Sequence, residues 1–96
     1  MRNRYIVCYD VADPKRLHKT YKKMNGYGDP VQYSVFQCEL SDMELLYMQD
    51  DLNGILNLQE DRVLIVNTGP SGNDISKHIS TIGAPLKSRG DSAIII

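Results

Sequence analysis

The sequence predicts an α+β sandwich, an antiparallel sheet with two helices packed on one face. Three features lead there. Strand-like apolar runs fall at residues 4–10, 31–40 and 62–69. Two amphipathic segments with helix start signals lie between them. The 96 residues suffice for one modest core, small enough for dimerisation to help it.

The first strand is expected over Arg4–Asp10, within "YIVCYDVAD". Asp13 then offers an N-cap and Pro14 suits the first helical position, so a helix runs to about Met24 and stops at Asn25-Gly26. Leu17, Tyr21 and Met24 recur at helical spacing and form its buried stripe. "VQYSVFQCEL", residues 31–40, is extended, either one long strand or two short ones around a bulge near Gln37. Ser41 and Glu44 form a capping box that opens a second helix, with Leu45, Met48, Leu52 and Ile55 or Leu56 turned inward. "RVLIVNTG", residues 62–69, is apolar without a break, as a strand central in its sheet or covered by a dimer partner would be.

"GPSGND" after it reads as a connection, because its glycines lack the Lys-Ser/Thr of a phosphate loop. A short helix is expected around Ile75–Ile82. The closing "SAIII" is too apolar for water, so it is either an edge strand or one donated to a neighbouring subunit. The element order is that of a ferredoxin-like fold. It forms one domain over 1–96, with a core over about 1–70 and a C-terminal dimerisation tail over about 71–96.

No apolar run approaches the ~20 residues that span a bilayer, and no signal-peptide pattern opens the chain, so a cytoplasmic location is the expectation. Cys8 and Cys38 lie in strand-like segments and read as reduced thiols. The net charge of −1 hides an asymmetry: residues 1–30 hold seven Lys/Arg against three Asp, and residues 31–96 four against nine acids. A basic face on an acidic body would steer a polyanion to one side. Lys15, Arg16, Lys19, Lys22 and Lys23 crowd the first helix and are its candidate nucleic-acid contacts, or else an ordinary solvated face. His18 and His78 lack partners at catalytic spacing.

Asp10 ends the first strand as either a functional carboxylate or the first polar residue of a turn. "YDVADPKR" places Tyr9, Asp10, Asp13 and Arg16 at the strand end and helix start, and Gly28 and then "QYSVF" follow, with Gln32, Ser34, Val35 and Phe36. In this pair of motifs the whole chain resembles the smaller core protein of CRISPR spacer acquisition, the CRISPR-associated endoribonuclease family. The resemblance implies a homodimer whose first strands approach, so that two Asp10 side chains face each other across the two-fold axis.

Carboxylates about 6 Å apart repel by about 3 kcal/mol at an effective dielectric of about 20, so either one takes a proton or a divalent cation such as Mg²⁺ bridges them. Asp10 is thus the expected metal ligand, with Arg16 as a phosphate clamp and Tyr9 and Phe36 positioning the substrate. The expected partners are a second copy, the CRISPR integrase protein, and duplex DNA or RNA. Two positions depart from the pattern of some nuclease-active members: Pro30 replaces a basic residue and Leu17 a second arginine. These departures shift the expected main role from Mg²⁺-dependent endonuclease towards nucleic-acid binding that bridges integrase subunits. A toxin-type ribonuclease on the same fold and a ferredoxin-like regulatory dimer are the competing readings.

Overall fold

The computed structural model describes residues 1–72 and 78–84. Its elements are β1 (Asn3–Asp10), α1 (Pro14–Met24), β2 (Gly28–Gln32), β3 (Val35–Leu40), α2 (Asp42–Asn53) and β4 (Arg62–Pro70). The strands form one sheet in the order β2-β3-β1-β4, and every pairing is antiparallel. This βαββαβ order is the expected α+β architecture.

Alternation along the strands decides which face the helices cover. Tyr5, Val7 and Tyr9 of β1 are buried, as are Phe36, Cys38 and Leu40 of β3. They face Met24 of α1 and Met48 and Leu52 of α2, and these nine residues are the hydrophobic core. Ile6, Cys8 and Asp10, on the opposite side of the pleat, look away from the helices. Among the described residues, no helix is long and apolar enough to cross a membrane.

Both helix starts follow their caps. The Asp13 carboxylate accepts from the backbone N–H groups of Lys15 and Arg16, each at 3.0 Å, and Pro14 follows at the first position. At α2, Ser41 Oγ accepts from Glu44 N at 3.1 Å, while Glu44 returns a carboxylate oxygen to Ser41 N at 2.8 Å. That backbone contact, then the Ser41 hydroxyl and Arg2, hold the Glu44 carboxyl below its ordinary value.

The stripe of α1 contains one residue beyond those expected. Thr20 is fully buried, and its hydroxyl donates to the Arg16 carbonyl at 2.8 Å, so no polar group is left wanting. Leu17 and Tyr21 lie half-buried against the core. The second helix leaves off at Asn53 instead of continuing to Leu56.

The region read as 31–40 is two strands, and they divide elsewhere than expected. The break is the turn at Tyr33-Ser34, and the register shift lies between Pro30 and Gln32, not near Gln37. β2 begins upstream at Gly28, where a Cβ would strike the Gln37 carbonyl and the Cys38 sulfur. Only glycine lets these two strands close. Pro30, which has no N–H to give, is tolerated because β2 is an edge strand.

The expectation of a central 62–69 strand is also corrected, since β4 lies at the other edge among the described residues. Its Val63 and Ile65 pack against the core, whereas Leu64 and Val66 remain 54% and 51% exposed. The run is apolar throughout because both sides of the pleat are apolar, although helices cover only one. The cysteines are free; Cys38 is buried, and desolvation, reinforced by Asp29, pushes its thiol up to about 12. Residues 75–77 of the expected short helix and the whole "SAIII" tail lie outside the described residues, and 79–82 carry no helix.

Candidate functional site

Asp10 closes β1 as an exposed carboxylate on the helix-free side of the sheet, with Arg62 of β4 opposite in register. Its side chain makes no hydrogen bond or ion pair among the described residues. Tyr9 beside it points into the core. Its hydroxyl donates to the Tyr33 carbonyl at 2.7 Å, and burial, then the neighbouring Tyr33 and Tyr21, raise the phenol above its ordinary value. Tyr9 therefore stays protonated and serves as a hydrogen-bond donor.

The chain leaves Asp10 through a turn fastened by one acid. Asp61, just before β4, has a fully buried side chain. One of its oxygens accepts from Ala12 N at 2.9 Å and Arg16 Nη2 at 3.2 Å. The other accepts from Arg16 Nε and from Asn57 N, both at 2.8 Å. Arg16 chiefly, with the two backbone N–H groups, holds the Asp61 carboxyl well below the usual carboxylate range. Arg16 Nη2 also reaches Glu60 at 3.1 Å, and the Asp61 hydrogen bonds raise the guanidinium above its ordinary value.

The structure thus joins Arg16 to Asp61 and Glu60, leaving Nη1 without a partner among the described residues. Sequence reasoning missed Asp61. The acidic pair Glu60-Asp61 ahead of an apolar strand is visible, but its partner lies 45 positions away.

Of the other expected residues, Phe36 is fully buried and stacks on Tyr9, with centroids 6.2 Å apart and planes 25° apart. It acts by holding Tyr9 in place. Lys15, Lys19, Lys22 and Lys23 are all exposed, and none forms an ion pair among the described residues. Lys19, Lys22 and Lys23 border a hollow of about 440 Å³ with Gly26 and Ile55 on its wall. His18 and His78 are exposed.

Among the described residues, no three His, Cys, Asp or Glu side chains gather as a metal site. At the end of β1 one chain places one carboxylate, Asp10, without a partner among the described residues. That donor suits Mg²⁺, which binds through one or two carboxylates and keeps water and phosphate oxygens as its remaining ligands. The chemistry fits. A single subunit offers half of the two-carboxylate arrangement.

Residues 2–75 match the family described as CRISPR associated protein Cas2. The chain is similar to the CRISPR-associated endoribonuclease Cas2 1 of Rhodospirillum rubrum, 37% identical over 92 residues covering 96% of this chain and 89% of that one. It is similar also to the CRISPR-associated endoribonuclease Cas2 of Geobacter sulfurreducens, 36% identical over 96 residues and the full length of both. The fold is similar to that in the crystal structure of Streptococcus pyogenes Cas2, with a TM-score of 0.73 at 28% identity, covering 83% of this chain and 99% of that one. With the fold, the strand-end carboxylate and these likenesses in agreement, the chain belongs to the Cas2 family of CRISPR-associated proteins.

Proposed function

We propose that the chain works as a homodimer that carries nucleic acid, bridges integrase subunits during spacer integration, and cleaves phosphodiesters with Mg²⁺ held between two Asp10 carboxylates. The observation that carries this reading is Asp10 itself, exposed and without a partner among the described residues, at the rim of the apolar sheet face opposite the helices. That face presents Ile6, Cys8, Val35, Leu64 and Val66. Packing it against its own copy about a two-fold axis buries those residues and sets the strand ends together. An exchanged C-terminal strand would pair at β4, an edge strand among the described residues. The names of the curated relatives, endoribonucleases, support a phosphodiester as the substrate.

When bound, Mg²⁺ supplies charge neutralisation at the scissile phosphate and a more acidic water. The chain's own part is to hold two Asp10 oxygens at the axis, with Tyr9 fixed in the core behind them. The Asp61 clip keeps the turn after Asp10 from drifting. The unpaired lysines of α1 hold the backbone of the nucleic acid without reading bases.

In Asp10→Ala protein, Mg²⁺-dependent cleavage should vanish while nucleic-acid binding stays within about twofold of wild type, as measured on protein freed of contaminating nuclease. Cleavage that persists unchanged in that variant sinks the metal reading.

A further inference from the structure

A ladder of aromatic rings begins in the core and surfaces at the turn between β2 and β3, against α1. Phe36 is fully buried. Tyr21 of α1 meets it edge-on, with centroids 5.5 Å apart and planes at 61°. Tyr33 then stacks on Tyr21, at 4.8 Å and 14°. Tyr33 is the outermost ring, 36% exposed, in the turn between β2 and β3.

That turn is tied to the candidate site by two hydrogen bonds. The Tyr9 hydroxyl donates to the Tyr33 carbonyl at 2.7 Å, and Tyr9 N donates to the Ser34 carbonyl at 3.1 Å. The ring is therefore anchored to the residue immediately before Asp10. Tyr21 covers one face of Tyr33, and the residue as a whole keeps 36% of its surface exposed. A ring ordered by a second ring behind it loses little freedom when something stacks on its open side.

We propose that Tyr33 is a stacking platform for an unpaired nucleobase, on the side of the sheet that carries α1. A partly exposed ring backed by a helix that also carries exposed lysines is a combination that holds single-stranded nucleic acid. A paired base in a duplex already has both faces covered by its neighbours. The platform therefore selects single strands, loops or frayed ends. This deepens the nucleic-acid reading above and rests on it, but its signal is binding and not cleavage.

The experiment compares a short single strand carrying 2-aminopurine with a duplex of the same sequence, using the full chain and fluorescence titration. Wild type and Tyr33→Trp should both bind the single strand with quenching of 2-aminopurine. Tyr33→Ala and Tyr33→Leu should bind it roughly 5- to 100-fold more weakly, without quenching, while duplex affinity moves less than about twofold.

Single-strand binding by Tyr33→Leu at wild-type strength overturns the platform and leaves the wider reading intact. Equal losses on single strand and duplex also overturn it. So does dissociation of the assembly in Tyr33→Leu by analytical ultracentrifugation, which would make the ring a subunit contact. If wild type binds neither probe, the nucleic-acid reading itself fails.

Discussion

Arg16 and the four lysines share one short helix, yet their surroundings differ. Arg16 is held on two nitrogens by Asp61 and Glu60 and is only 24% exposed. Lys15, Lys19, Lys22 and Lys23 stand in solvent without an ion pair among the described residues. The pattern of charge along α1 does not separate these roles; the partner does. A planar guanidinium grips a carboxylate at two points and fixes a turn, while ammonium groups on flexible stems act as point charges. One end of the helix is structural and the rest is available.

The severest way to break this contrast is to remove Asp61. Asp61→Ala strands the Arg16 charge and frees the N–H groups of Ala12 and Asn57, so thermal melting should fall by roughly 15 °C. A fall of less than about 3 °C would show that the clip is ornamental.

Acid probes the same clip more gently. The folded carboxyl of Asp61 sits below its unfolded value, so its contribution is complete above pH ~5 and is withdrawn as the pH falls below ~4. Glu44, also lowered, acts in the same direction. Melting temperature in wild type should therefore decline more steeply between pH 5 and 3 (roughly, from the carboxylate reference values) than in Asp61→Asn. Parallel slopes in the two proteins would remove Asp61 from the account.

The smallest effect on stability should come from the lysines. Replacing Lys19, Lys22 and Lys23 together by Ala should move melting by no more than about 3 °C. Duplex affinity should nevertheless fall about tenfold at moderate salt, with the salt slope reduced by about 2 to 3. An unchanged salt slope would return these residues to the role of solvated surface.

Much of the fold was legible because its signals are local. Asp13 with Pro14, and Ser41 with Glu44, announce their helices within four residues, and the structure places both starts where the caps predict. Tyr5, Val7 and Tyr9 announce β1 by alternation. Strand division was harder, because "QYSVF" alternates as smoothly as a strand interior while the chain in fact turns at Tyr33-Ser34. The edge position of β4 was hidden for a different reason: its second apolar side looks the same whether covered or not.

Within the site, Asp10 was visible as a carboxylate where an apolar run ends. The fastening of Arg16 was not, since it depends on the loop before β4 returning beneath the start of α1. The same holds for the ring ladder, which draws on α1, β1, β3 and a turn.

The two rims of the sheet are unequally receptive. β2 has five residues, a slipped register and a proline that offers no donor, whereas β4 pairs with β1 without a shift from Arg62 to Asn67. Among the described residues, β4 is therefore the rim better able to accept an incoming segment. Growth by such additions has a poorer second rim from which to continue, which favours a closed pair over an open-ended fibre.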